Sequence, residues 1–242
     1  METAVCDRDD SDRWRCAGRR YGNGVRVWCG LPVDHAVRHA EAMTIPQPTA
    51  IERRRTIALA GHNGDSATAL AGLEDVDSQA RAIALSALQR LTELTDEQLI
   101  RASVDSDPGV RRRAVTIAAV HHNIDLEPSL HDSDDSVVEV AAWACGEHEQ
   151  VSDAILHRLM ALVTDSDNPL VREASVAALG AIGDERAVGV IIAACGDKPA
   201  IRRRAALALA PFEGPLVDAA LQQALIDRDW QVRQAAEDVL QR

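Results

Sequence analysis

Aromatic rings are nearly missing from this 242-residue chain: four Trp, one Tyr and one Phe make up 2% of it. So few rings leave little with which to stack the bases of a single-stranded nucleic acid. Lysine stands once, at Lys198, against 25 arginines. Long apolar runs are lacking as well. The longest, Ala187 to Cys195, contains Gly189 and falls well short of the roughly 18 residues that a membrane span needs. The opening METAVCDRDDSDRWRC carries acids and arginines where a secretory leader carries an apolar core, so a cytoplasmic location is expected. Cysteines number five, an odd count in a chain too long to need staples, and reduced thiols are the expectation. Positive charge is in deficit too, with 26 Lys plus Arg against 38 Asp plus Glu and a net charge of −12. That field opposes a surface that traps phosphate throughout, and no Gly-rich phosphate loop is present.

What the chain has is alanine and periodicity. Apolar residues make up 46% of it, and 41 of them are Ala, enough for a folded core of small side chains. An apolar residue followed by Arg recurs at Ala80-Arg81, Val110-Arg111, Val171-Arg172, Ile201-Arg202 and Val232-Arg233, with Val137-Val138 as a variant, at intervals of 27 to 34 residues. Three residues past each anchor stands a small one: Ala84, Ala114, Ala141, Ser175, Ala205 and Ala236. Small or aliphatic residues return six and seven past it. These offsets fall on one stripe of a 3.6-residue helix, so each anchor opens an amphipathic helix. Ahead of the anchors lie paired acids, Asp75 and Asp77, Asp105 and Asp107, Asp132 and Asp134, Asp165 and Asp167, Asp227 and Asp229. Asp suits turns and helix N-caps, and capping together with pairing to the anchor arginines accounts for all five pairs; Asp107-Pro108 and Asn168-Pro169 place Pro at a first helical residue. Thr95 to Gln98 reads as a capping box opening a preceding helix, and Asp184 to Cys195 as another helix. Two helices in each unit of roughly 30 residues make an α-solenoid.

The stretch LVREASVAALGAIGDERAV, Leu170 to Val188, resembles the short HEAT-like repeat of the phycobilisome-lyase type, and IRRRAALALA and WQVRQAAEDVL resemble further copies. The resemblance spans about Arg53 to Leu240. It implies an all-α, right-handed α-α superhelix of the armadillo/HEAT type with about six repeats. Arg53 to Gly61 copies Arg202 to Ala210 and reads as a degenerate N-terminal unit. At the other end, offset +4 turns from apolar or small to Glu237, as a terminal cap requires. Relatives of this type include bilin lyases, a di-iron hydroxylase of a modified lysine and scaffolds, so the resemblance leaves function open.

Residues 1–42 differ from the rest, with three of the Cys, two of the Trp and the only Tyr. Cys16, Cys29, His35 and His39 are four zinc-type donors, although the spacing between the cysteines lacks a tight knuckle. Two readings of this segment stay open: residues 34–43 supply the missing first helix, or the protein starts at Met43 and the solenoid occupies 43–242.

Chemistry finds little to stand on. The His-Glu pairs that the hydroxylase resemblance implies just after each repeat Arg are replaced by Ala82-Ile83, Arg112-Arg113, Glu139-Val140, Glu173-Ala174, Arg203-Arg204 and Gln234-Ala235. His148-Glu149 lies past a helix end and reads as loop. Cys145 and Cys195 fall on core-like positions where thiols are inert. No catalytic residue, cofactor or bound metal is expected, and no oligomeric state can be read. Arginine triplets at 53–55, 111–113 and 202–204 keep nucleic acid as a less favoured partner. A protein partner is preferred, met on the concave face where offsets +1 and +5 point away from the core. These give Arg112, Glu139, Trp143, Glu173, Arg203 and Leu207 as the candidate partner-binding residues, with Trp143 the single large ring among them.

Overall fold

The computed structural model describes residues 47–241 and, ahead of them, only the backbone pairing of two short antiparallel strands, β1 (Asp7–Arg8) and β2 (Trp14–Arg15). The chain divides into two compact units, Met1–Gln47 and Pro48–Arg242. Cys16, Cys29, His35 and His39, and the helix expected over 34–43, lie outside the described residues.

The second unit runs through α1 (Ala50–Asn63), α2 (Ser66–Gly72), α3 (Ser78–Leu91), α4 (Asp96–Ala102), α5 (Pro108–Ala118), a 3-10 turn (Pro128–His131) and α6 (Asp135–Gly146). It continues with α7 (Asp153–Asp165), α8 (Pro169–Ile182), a 3-10 turn (Glu185–Ala187), α9 (Val188–Ala194), α10 (Pro199–Ala208), α11 (Pro215–Ala224) and α12 (Trp230–Leu240). Six pairs follow α1, and in each the second member carries the anchor: α3, α5, α6, α8, α10 and α12. Together with α1 these second helices stack into one row, and the shorter first members form the other, as a right-handed α-solenoid. Among the described residues no helix is long and apolar enough to cross a membrane.

Local chemistry starts and stops these helices as the composition predicts. The side chains of Asp77, Asp107, Asp134 and Asp229 each accept the amide N–H two residues on, capping α3, α5, α6 and α12. Thr49 with Glu52, and Thr95 with Gln98, close capping boxes on α1 and α4. Gly64 and Gly183 end α1 and α8 in the left-handed region, at φ 79° and 70°. One expected helix is divided: Asp184 caps the 3-10 turn at Glu185–Ala187, and the α-helix begins only at Val188 and ends at Ala194, with Cys195 its cap.

The anchor arginines do more than open helices. Arg81, Arg111, Arg172 and Arg202 each donate from Nε and Nη2 to both oxygens of an Asp in the next turn: Asp105, Asp132, Asp197 and Asp227. Nη1 of each reaches back to a carbonyl of its own turn, at Asp105 for Arg111 and Asp197 for Arg202. Arg53 pairs with Asp75 in the same way. The fork of a guanidinium fits this three-way task, which an ammonium could not perform. The partnered arginine, helped in most rungs by a backbone N–H, holds Asp75, Asp105, Asp132, Asp197 and Asp227 below the usual carboxylate range. A ladder of rungs thus links successive turns.

One rung is absent on both sides at once. Arg172 Nη1 donates to the Ser166 carbonyl as Arg111 does to Asp105, and the Asn168 N–H reaches Ser166 Oγ as the Asp107 N–H reaches Asp105. Ser166 and Asn168 therefore fill the places expected of Asp165 and Asp167, and Asn168 caps α8. Val138 stands where the arginine of that rung would be. Removal of both charges leaves no half-buried ion without its partner.

The stripe offsets are the core. Ala84, Ala114, Ala141, Ser175, Ala205 and Ala236 are all at most 1% exposed. So are Leu85, Val115, Ala142, Val176 and Ala206 at offset +4, whereas Glu237 is exposed on α12. Helices of the second row approach closely where Gly146 of α6 faces Ala178 of α8, and Gly180 of α8 faces Ala208 of α10. A Cβ on Gly180 would stand 2.6 Å from the Ala208 Cα.

Candidate functional site

Side chains of α6, α8 and α10 that point away from the core border a groove of about 560 Å³. From α6 come Glu139, Trp143 and Gly146, followed by Glu147. Leu170, Glu173 and Ala177 belong to α8, and Arg204 of α10 closes the groove. A second hollow of about 390 Å³ shares Ala177, Ala181 and Arg204 and continues to Leu207 and Pro211. Small residues on α8 make this channel: between Trp143 and Leu207 the corresponding place is Ala177, and a larger side chain there would fill the space.

Trp143 is 43% exposed, so its ring rests against the groove and still meets solvent. Glu139 and Glu147 lie one turn before and one turn after it on the same face. Glu139 and Glu173 are half-buried. Among the described residues neither Glu139 nor Glu147 forms an ion pair, and Glu173 has only a loose one, its Oε1 3.7 Å from Arg204 Nη2. Arg204 Nε is buried without a hydrogen-bond partner.

Four of the six expected partner-binding residues, Glu139, Trp143, Glu173 and Leu207, border this channel. Arg112 is exposed on α5, and Arg203 is half-buried on α10, but neither lines it. Arg204 does so instead. One residue is a step of 100° around a helix, and that step decides which arginine lies on the wall of α10 that closes the groove. The triplet alone could not make this choice. The other arginines of the triplets are partly consumed: Arg53, Arg111 and Arg202 are in rungs, and Arg54 pairs with Asp77. Arg54 is therefore not the open basic position that its offset suggested.

His148 also departs from expectation. It is 8% exposed, and its Nε2 lies 3.0 Å from the Ala118 carbonyl, so it pins the end of α6 to that of α5. The His122 ring lies 5.0 Å from it, tilted by 50°. Burial pushes the Cys145 thiol up to about 12 and the Cys195 thiol up to about 11, leaving them protonated and unreactive near neutral pH. Among the described residues no three His, Cys, Asp or Glu side chains are grouped as metal ligands would be.

A ladder-linked double row of helices with a groove along the second row defines a HEAT/armadillo-type α-solenoid repeat protein. The profile of HEAT repeats matches residues 125–210 and, overlapping them, 159–241. Among solved structures, YibA of E. coli is similar at 19% identity and TM-score 0.57, over 80% of this chain and 76% of its own. An engineered protein is similar at 19% identity and TM-score 0.57, over 81% of this chain and 65% of its own. Human deoxyhypusine hydroxylase, at 19% identity over 81% of this chain and 80% of its own, superposes with a TM-score of only 0.41. These likenesses concern the fold alone. No protein of curated function matches the chain.

Proposed function

We propose that the protein is a non-enzymatic scaffold that binds a protein partner along its second helices, the concave face of the solenoid, with Trp143 as the anchor. The observation that carries this reading is the half-exposed ring on the α6 wall of a groove bordered by charged residues. An aromatic side chain so placed is the usual centre of a binding hot spot, where truncation costs about 2 kcal/mol or more of binding. Glu139, Glu173, Arg204 and Leu207 supply the rim, and Arg112 and Arg203 flank it.

Affinity capture from the native lysate with the wild-type chain and with Trp143→Ala tests this. The variant is expected to lose the co-purifying protein while its melting temperature stays near that of the wild type. Undiminished capture by a variant that melts several degrees lower would make Trp143 a core residue and remove the reading.

A further inference from the structure

The geometry points to a zinc site formed by His122 and His148 where the ends of α5 and α6 meet. His122 follows α5 and His148 follows α6, and the two rings, distant in sequence, lie with their centroids 5.0 Å apart. His148 is already set as a ligand. Its Nε2 is 3.0 Å from the Ala118 carbonyl, and a carbonyl only accepts, so Nε2 carries the proton and the neutral ring keeps its lone pair on Nδ1. A metal-bound histidine ordinarily gives its other N–H to a carboxylate or a backbone carbonyl in this way, which fixes tautomer and ring orientation. Among the described residues Nδ1 of His148 has no hydrogen-bond partner, and neither has the exposed ring of His122. The neighbouring histidines differ. His121 has both ring nitrogens engaged, by Asp96 and Gln89, and His131 lies beside Glu127.

The separation suits a single ion. Two imidazoles on one zinc, with Zn–N bonds of about 2.0 to 2.1 Å and a near-tetrahedral angle, have centroids about 5 Å apart. The rings are tilted by 50° and so are not stacked on each other. The local field favours a cation, since two helix C-termini meet here and Glu147 and Glu149 flank His148 in the chain. No third His, Cys, Asp or Glu is grouped with the pair among the described residues, so water completes the tetrahedron. Two ligands in place of the usual four imply a dissociation constant of roughly 1 to 100 µM. Held there, the ion clasps the loop after α5 to the end of α6 and joins two repeats at the edge opposite the rungs.

Calorimetric titration of zinc chloride into the full chain tests the site, with Cys16→Ser, Cys29→Ser, His35→Ala and His39→Ala as a common background so that these donors take no metal. A single ion per chain is expected to bind in the range above and to raise the melting temperature by several degrees. Adding His122→Ala, at an exposed ring without hydrogen bonds, is expected to weaken binding by at least about tenfold and to abolish the thermal shift, while the melting temperature without metal is unchanged. His148→Gln keeps an N–H for the Ala118 carbonyl and removes the ligand nitrogen, and the same loss is expected. His62→Ala, at an exposed histidine elsewhere, should change binding less than about twofold. Magnesium, which prefers oxygen ligands, should give no heat. Absence of zinc binding in the background chain, or undiminished binding in His122→Ala, would overturn the inference. So would a response to magnesium equal to that to zinc, because surface acids would then hold the metal.

Discussion

Arg202 and Asp227 show what a single rung contributes. Their side chains are 8% and 15% exposed and share two hydrogen bonds. Arg202→Val alone leaves Asp227 half-buried without its cation, held only by the Asp229 N–H, at an expected cost of about 2 kcal/mol after screening is allowed for. Arg202→Val combined with Asp227→Ser reproduces the pairing that the chain already uses at Val138 and Ser166. Urea unfolding should then show that the double variant loses less than the two single variants together, by about 1 to 2 kcal/mol. Acid unfolding probes all the rungs at once. Each rung Asp is held below its ordinary value of 3.8 by its arginine, so its contribution is complete above that value and is lost as pH falls through the lower, folded one. Stability measured by urea unfolding between pH 5 and pH 3 should therefore fall steeply below about 4, and less steeply in the double variant. An identical slope would mean that the rungs do not govern acid sensitivity. Asp77, Asp107, Asp134 and Asp229 were legible in the sequence as caps. Pairing of the acids with anchor arginines was expected as well, but not that the arginine comes from the preceding repeat or that Asp197 serves Arg172, because a contact across 21 to 25 residues leaves no local pattern. Ser166 was overlooked for the same reason: it flanks Asp165, and only the hydrogen bonds show which of them occupies the turn.

Helices were the most readable level, since each carries its own start signal and stripe. Asp-Pro and Asn-Pro at α5 and α8 and the capping box at α4 are confined to a few adjacent residues. Failures came where the signal was shared between elements. Asp184 caps a 3-10 turn in place of the α-helix that follows it, and His148 is buried by a carbonyl of another repeat. Helix packing also distinguishes two glycines that look alike in the sequence. A Cβ at Gly180 would meet Ala208 backbone at 2.6 Å, whereas one at Gly189 meets nothing within 4 Å. Gly180→Ala is thus expected to lower stability by about 1 to 3 kcal/mol through overpacking, and Gly189→Ala to raise it by about 0.5 kcal/mol through helix propensity. Thermal or urea unfolding of the two variants checks the pair, and equal effects would mean that α8 and α10 pack less closely than described.

At the scale of the whole array, repeat number and order followed from the anchors, and the polar residue at offset +4 on α12, Glu237, is exposed where its counterparts are buried. The candidate groove was half legible. Offsets +1 and +5 named Glu139, Trp143, Glu173 and Leu207, but the hollow itself depends on Ala177 being small between two larger neighbours, a matter of three helices at once. The repeats differ in length, with anchors 27 to 34 residues apart, and the variation is taken up in the first members, from a 3-10 turn at Pro128–His131 to the 13-residue α7. Successive helices of the second row touch one another throughout. Packed helices lie about 8 to 10 Å apart, and a polyproline II chain advances about 3.1 Å per residue with three residues per turn. A segment of that conformation laid across α6, α8 and α10 would thus bring every third residue into step with Trp143, Ala177 and Leu207. If a partner binds this face as proposed, the face would serve as a ruler graduated in helices, and a ligand would be measured by the spacing of its side chains as much as by their kind.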